Sequence, residues 1–396
     1  MPILEPDFVP SGNAQPLEAF IRQEIAKRGG IPFAEYMQHC LYHPQFGYYV
    51  YPRQRIGSKG DFFTSSSVHR LFGRLIATQL VQFWQLLGED VFTIVEQGAG
   101  EGELALDILD ALVDNAPEMY HKLRYVIVEI SPDNRQRQAD KLSAHSAVVS
   151  WQDFSQVDGV VGCFLSNELV DAFAVSLVEK HDDKLQEVFV VEKNGVITEE
   201  LRQPTTDKIS QHFAKLGVAP VEGNRAEVCL FAADWMRQVA EKLERGFVLT
   251  VDYGYPAAEL YAPFRQHGTL LCYHQHQAND NPYQNIGCQD ITSHVDFTLL
   301  QKNGADAGLD VTYFAEQYRF LIGLGFVEEL LRLQAQEADE RKAMALRMTL
   351  KNLIMPDGGM GETFKVLIQS KNIVSSQLLC ARKLQDIPLD SIAALM

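Results

Sequence analysis

The stretch Phe92-Thr-Ile-Val-Glu-Gln-Gly-Ala-Gly-Glu-Gly-Glu-Leu104 constrains the fold of this chain more than any other. Phe92 to Val95 is a short apolar run with β-branched residues. It ends in Glu96-Gln97, three glycines follow at alternate positions, and an apolar-periodic segment opens at Leu104. Such a succession predicts a buried strand, a tight turn and a helix. Gly98, Gly100 and Gly102 let the backbone turn sharply and approach a ligand with no Cβ in the way, and the helix that follows offers unpaired N–H groups.

The spacing selects among nucleotides. A dinucleotide fingerprint, G-x-G-x-x-G, needs glycine at 103, where the chain has Glu103, and a phosphate would meet Glu101 and Glu103 with no nearby Lys or Arg. Glu96 and the acidic loop suit a cation. S-adenosylmethionine carries an ammonium and a sulfonium, lacks phosphate, and has a ribose that needs a carboxylate from the next strand. Tyr125-Val-Ile-Val-Glu129 supplies it, with Glu129 at the strand's C-terminal end, where open α/β sheets bind ligands.

The whole chain narrows the function classes. At 396 residues it can form one large domain or two ordinary ones, and 46% hydrophobic residues suffice for a substantial core. A net charge of -17 argues against binding nucleic acid through its phosphates. The six cysteines are scattered with no C-x-x-C pair, which suits reduced thiols in a cytoplasm. No apolar run reaches spanning length, and the start has no basic region followed by an apolar core, so the expectation is a cytoplasmic protein without membrane insertion.

Along the chain, residues 1–15 read as a loose arm, Leu17–Arg28 and Phe33–Leu41 as two helices of an N-terminal layer. Residues 42–65, dense in glycine and aromatics, read as either a ligand lid or a packed aromatic loop, with Gly60-Asp61-Phe62-Phe63-Thr64 the part expected to act on a ligand. A helix over Val68–Leu87 leads to the first strand. After it come a crossover helix (Leu104–Leu112), the second strand, a helix over Asn134–Leu142 and a third strand at Ala147–Val149. Near its end, Asp153 could accept from an adenine amine and Phe154 could stack on the ring; an ordinary turn with a core Phe is the alternative. The fourth strand, Val160–Leu165, runs into Asn167, Glu168 and Asp171, either site residues or solvated turn residues.

Period-two alternation with turn signals at Asp182-Asp183 and Asn194-Gly195, then helices near 206–216 and 229–244, mark residues 174–246 as an inserted α+β cap. The fifth strand, Phe247–Val251, ends in Asp252. Cys272, His274, His276, Cys288 and His294 match no usual zinc pairing, so no metal is expected. Asp290, His294 and Asp296 instead read as cleft residues. Asp310–Leu324 reads as an amphipathic helix, Phe326–Leu333 and Glu362–Gln369 as strands flanking a helix over Ala338–Leu353, the last strand inserted antiparallel to complete a seven-stranded sheet.

Several separated motifs occur in one order: Gly47-Tyr48-Tyr49, Ile56-Gly57, Gly60-Asp61-Phe62, Thr64-Ser65, Phe72-Gly73, Glu96 to Gly102, Asn167-Glu168 with Asp171-Ala172, Asp252-Tyr253-Gly254, Asp290-Ile-Thr292, His294-Val-Asp-Phe297, and Met360-Gly361 with Phe364-Lys-Val-Leu367. With these, nearly the whole chain resembles the MidA family, bacterial relatives of the mitochondrial complex I assembly factor that methylates arginine. The resemblance implies a class I S-adenosylmethionine-dependent methyltransferase: an α/β, Rossmann-like seven-stranded sheet with helices on both faces, an N-terminal helical layer and lid loop (1–67), a core (68–173 and 247–396) and the inserted cap (174–246). It implies a protein arginine substrate, such as a complex I type subunit. Two departures stand out: Ser66-Ser67 replaces the usual Pro-Glu after Thr-Ser, and Ala174 the usual proline. The missing glutamate removes a carboxylate near the proposed substrate.

The expected division of labour is concrete. Glu96, Gly98, Gly100 and Gly102 hold the methionine moiety, Glu129 the ribose, Asp153 and Phe154 the adenine. Glu168 and Asp171, with Asn167 beside them, localise guanidinium charge away from one nitrogen; Asp61, Asp252 and His294 support them, His294 as the proton acceptor. A small-molecule methyltransferase and a non-enzymatic cofactor-binding assembly factor are the alternatives, with a nicotinamide dehydrogenase behind them. A homodimer stays open.

Overall fold

The computed structural model describes residues 12–53, 55, 61, 69–336, 338–355, 360–374 and 377–382. Among the described residues, seven strands form the main path of its central sheet: β1 (Phe92–Gln97), β2 (Leu123–Val128), β3 (Val149–Trp151), β4 (Val160–Asn167), β5 (Leu243–Tyr255), β6 (Asp310–Glu316) and β7 (Phe364–Lys371). Their spatial order is β6-β7-β5-β4-β1-β2-β3, with the short strand Val295–Asp296 pairing alongside the end of β5. From β3 to β5 all neighbours are parallel, and β7 runs antiparallel between β5 and β6. Parallel strands are buried on both faces. Accordingly, Ile94, Leu249 and Val251 belong to one hydrophobic cluster and Val95 and Val248 to another. The first cluster is covered by helices Leu71–Leu86 and Glu103–Asn115, the second by Leu230–Lys242 and Phe297–Asp306.

Two sequence expectations fail at the sixth strand. Asp310–Leu324 is not one helix: Asp310–Glu316 is β6, and only Gln317–Gly323 is helical. Val311, Thr312, Tyr313 and Phe314 have high strand propensity, and the free edge of β7 gives them a partner, which outweighs their helical spacing. Phe326–Leu333 is not a strand but the start of helix Phe326–Gln336, burying Phe326, Val327 and Leu330. A short apolar run does not distinguish helix from buried strand, and here Glu328, Glu329, Leu330, Leu331 and Arg332 are good helix formers. The antiparallel last strand is present, beginning at Phe364.

A second, five-stranded sheet joins the N-terminal layer to the insertion. Its strands Ser176–His181, Lys184–Lys193 and Val196–Arg202 form hairpins at the two expected turns, where Asp182, Asp183, Asn194 and Gly195 all have positive φ, as type I′ turns require. Ile31–Pro32, ahead of the second helix, pairs with Phe189 and Val190; Arg225–Val228, an unexpected strand, pairs with Ser176–His181. Leu17, Ile21, Phe33 and Tyr36 from helices Ala14–Arg28 and Phe33–Tyr42 share one cluster with Leu177, Val188 and Val190. Of the expected lid stretch 42–65, residues 42–53, 55 and 61 are among the described residues, and Gly60 to Thr64, apart from Asp61, lie outside them. No helix among the described residues is long and apolar enough to cross a membrane, and all six cysteines are free.

Candidate functional site

A cavity of about 1000 Å³ opens where β1, β2, β4 and β5 end and β7 begins, roofed by Tyr42 and Tyr49 of the N-terminal layer. Its position follows from topology: β1 and β4 are neighbours whose crossover connections leave to opposite faces, and ligands bind at such a switch point.

One half is built by the glycine turn. Gly98, Gly100 and Gly102 have φ of 74°, 55° and 85°, and Gly102 caps helix Glu103–Asn115. At Gly98 the left-handed turn is what favours glycine; an added Cβ would also stand 2.9 Å from Leu169 Cδ1, a side-chain end that could shift. Glu129, just beyond β2, is buried. Its carboxylate accepts from the backbone of Ser131 at 2.8 Å and from Gln138 Nε2 at 3.1 Å. Gln138 Nε2 also donates to the Gly100 carbonyl at 2.8 Å, while its Oε1 accepts from Trp151 Nε1 at 2.8 Å. One amide thereby fixes the second-strand acid relative to the glycine turn, a support that its place in the middle of helix Pro132–Lys141 gave no reason to expect. Glu96 accepts from the Tyr125 hydroxyl at 2.8 Å; burial pushes its carboxyl up to about 7.

The other half is acidic and aromatic. Glu168 follows the end of β4 with φ of 51°, a left-handed conformation that costs a residue with a Cβ about 1–2 kcal/mol. Asp252, fully buried at the end of β5, holds this turn: its Oδ2 accepts the backbone N–H groups of Leu169, Val170 and Asp171 at 3.2, 2.9 and 3.4 Å, and Oδ1 that of Tyr253 at 2.9 Å. Burial, and then Asp171, push the Asp252 carboxyl well up. Burial also raises Asp171 to about 6, opposed by the Tyr253 hydroxyl. Asp171 Oδ1 and Asn167 Oδ1 are buried without a hydrogen-bond partner among the described residues. Both are acceptors on the cavity wall.

Across the cavity, Asp290 receives the Tyr49 hydroxyl at 2.8 Å and is pushed up to about 7 by burial and then by Asp171. Asp61 is held by the Tyr48 hydroxyl at 2.8 Å, Arg53 at 3.2 Å and the backbone of Gln275 at 2.8 Å. His294 lies between Tyr253 and Tyr255, ring centroids 5.4 and 5.3 Å away, and burial followed by Arg265 and Lys365 lowers it to about 4, so it is neutral near pH 7.

Most residues expected from sequence meet here: Asp61, Glu96, Gly98, Gly100, Glu129, Asn167, Glu168, Asp171 and His294 all line the cavity, and Gly102 stands behind them as the helix cap. Asp153 and Phe154 are not among its walls. Asp153 pairs with Arg135 at 2.8 Å, and Phe154 packs on the second core cluster with Lys242 above its ring; Val128, Ile130 and Pro132 line the cavity beside Glu129 instead. The roof, Tyr42 and Tyr49, could be found only as an aromatic loop. Among the described residues no group of three or more His, Cys, Asp or Glu is placed to hold a metal.

Six carboxylates line the cavity (Asp61, Glu96, Glu129, Glu168, Asp171, Asp290), and no Lys or Arg is among the described lining residues. Phosphates would be repelled. A sulfonium and an ammonium fit such a cavity, and the glycine turn with the supported Glu129 offers an open backbone beside a buried carboxylate.

Comparison with known proteins agrees. Residues 75–315 match a family described as S-adenosyl-L-methionine-dependent methyltransferases. A COG1565 superfamily member from Burkholderia thailandensis, solved with S-adenosyl-homocysteine bound, superposes with a TM-score of 0.87 at 31% identity, covering 96% of this chain and 100% of that one. The Drosophila melanogaster protein arginine methyltransferase NDUFAF7 homolog, a mitochondrial protein, is 27% identical over 90% of this chain and 85% of its own length. Human NDUFAF7 is 26% identical over 88% of this chain and 82% of its own. With the family match spanning more than half of its length and the cavity built for a cationic nucleoside, the chain belongs to this family of S-adenosyl-L-methionine-dependent methyltransferases and uses S-adenosylmethionine as its cofactor.

Proposed function

We propose that the chain methylates an arginine side chain of a protein, with a respiratory complex I type subunit as the first candidate. The observation that carries this reading is an acidic cavity with aromatic walls and no Lys or Arg among its described lining residues. A guanidinium is planar, always charged and rich in N–H donors. It would slide between Tyr42, Tyr49 and Tyr253 and give its hydrogens to Glu168, Asp171 and Asn167, whose Asp171 Oδ1 and Asn167 Oδ1 have no other partner among the described residues. The names of the relatives support the same acceptor.

In this reading the glycine turn, Glu96 and Glu129 hold the cofactor, which supplies an electrophilic methyl on a sulfonium. Glu168 and Asp171 draw the guanidinium charge toward two of its nitrogens and leave the third a better nucleophile, in line with the methyl. A guanidinium nitrogen that receives the methyl must give up a proton. His294, neutral near pH 7 and on the cavity wall, is the proposed acceptor. The insertion's strands and the N-terminal layer act as the substrate-selecting cap, and free, mostly buried thiols suit a reducing compartment such as the cytoplasm.

The test is methyl transfer from labelled S-adenosylmethionine to purified complex I subunits and to an extract from cells lacking the protein, with mass spectrometry locating the label. Label on arginine, lost in Glu168→Gln, is expected. Label only on small molecules, or on lysine, would overturn the arginine assignment.

A further inference from the structure

The helix Glu340–Lys351 differs in charge from the rest of the molecule. It carries Arg341, Lys342, Arg347 and Lys351 against Glu340 alone, in a chain whose net charge is -17. Elsewhere cations are largely spent on neighbours: Arg332 pairs with Glu329, Arg382 with Glu328, and Arg137 with Glu101 and Asp133. Among the described residues Arg341, Lys342 and Lys351 have no acidic partner.

The same helix exposes large apolar side chains. Met344 and Met348, one turn apart, are 59% and 61% exposed, and Met355 just beyond is 43% exposed, while Leu350 and Leu353 anchor the segment in the core. Residues at i and i+4 share one face, so the outward side is a methionine stripe beside basic residues. Methionine adapts to irregular partners and is over-used at binding surfaces.

The stripe leads toward the cavity. The Met360 N–H donates to the Asn352 carbonyl at 2.9 Å, and Met360, Thr363 and Phe364 line the cavity. The end of the helix is thereby tied by a backbone hydrogen bond to a residue of the cavity wall.

We propose that the helix Glu340–Lys351 is a docking surface for an acidic, apolar-faced segment of the protein substrate, apart from the residue that is methylated. This rests on the protein-substrate reading. Charge selects the occupant: a second copy docked by a two-fold axis through this helix would set its cations against themselves, and an anionic bilayer would repel the remainder of so acidic a chain. An acidic segment is repelled by most of the surface and attracted here, where its apolar face can cover the methionines.

The experiment uses the full chain loaded with S-adenosyl-homocysteine and a fluorescein-labelled 18-residue amphipathic peptide of Glu and Leu, with a Lys/Leu peptide as control, read by fluorescence anisotropy. Binding of the Glu peptide should weaken at least tenfold in Arg341→Glu/Lys342→Glu and in Met344→Asp/Met348→Asp, and weaken with salt. Calorimetric binding of S-adenosyl-homocysteine should be unchanged in both, which certifies the fold. Equal binding of the two peptides, or no loss in the variants, would overturn the proposal. So would stronger retention on phosphatidylglycerol vesicles, or a concentration-dependent dimer that the variants abolish. Anisotropy does not depend on methyl transfer, so failure of the arginine reading would show separately, in the labelled-methyl assay.

Discussion

Asp252 Oδ2 lies 2.9 Å from the backbone nitrogen of Val170 and also receives the N–H groups of Leu169 and Asp171, so a side chain at the end of β5 sets the backbone after β4 that carries Glu168. An amide in its place offers one good acceptor and turns N–H groups toward N–H groups. Asp252→Asn should lower kcat by about 100-fold through misplaced acceptor groups, with S-adenosyl-homocysteine affinity within about threefold of wild type, since the cofactor half has its own supports. Steady-state kinetics with calorimetry checks this; a parallel loss of cofactor affinity would refute the division.

Glu168 gives a sharper separation of fold from chemistry. Its φ of 51° favours glycine. Glu168→Gly should leave thermal stability unchanged or raised by about 1 kcal/mol while abolishing most methyl transfer, and Glu168→Gln should keep stability and lose activity. A Glu168→Gly protein with full turnover would show that the carboxylate is not needed.

In the proposed reading Glu129, which is buried, accepts from the ribose, and Glu129→Ala removes that acceptor. Hydrogen bonds to a charged group contribute about 1.5–3 kcal/mol, so S-adenosyl-homocysteine should bind roughly 10- to 150-fold more weakly. Gln138→Leu should reproduce a smaller part of that loss without touching the ligand, because it leaves the Gly100 carbonyl and the Trp151 indole unpartnered. Isothermal titration of both variants distinguishes direct contact from support.

The raised carboxyls make stability depend on pH. Asp290 and Asp171 are pushed up to about 7 and about 6 in the folded state, from an unfolded value of 3.8. Between those values the folded chain binds more protons than the unfolded one, so these groups favour folding at low pH and that contribution is lost as pH rises from about 4 to 7. His294, lowered to about 4 from 6.5, acts in the opposite sense and favours folding as pH rises through the same window. Asp290→Asn should therefore raise Tm more at pH 8 than at pH 5. A thermal-melt series showing the larger gain at pH 5 would contradict the assignment.

The glycine turn, the acid after the second strand and the cluster after the fourth were legible because each is a local event: a strand ends, a turn needs glycine, and polar residues collect where ligands bind. The sixth strand was misread because Asp310–Glu316 and Phe326–Gln336 carry patterns that fit either state until a sheet edge or a packing face is supplied. Asp153 and Phe154 stand at the third strand end but are not among the described cavity walls: Asp153 pairs with Arg135 and Phe154 packs on the second core cluster.

The sequence by itself determined the central α/β sheet and most of the residues around its ligand edge, since these follow from hydrophobic period and turn chemistry; the basic residues beside the glycine turn, Arg137 on Glu101 and Lys141 on Glu103, come from another helix and were not visible in the local sequence. Only the tertiary structure decided which residues support the site from a distance. Asp252 reaches Val170 across 82 positions, and Tyr49 reaches Asp290 across 241. Spacing along a chain cannot encode such contacts, because they arise where the folded core brings separate strand ends and the N-terminal layer to one cavity.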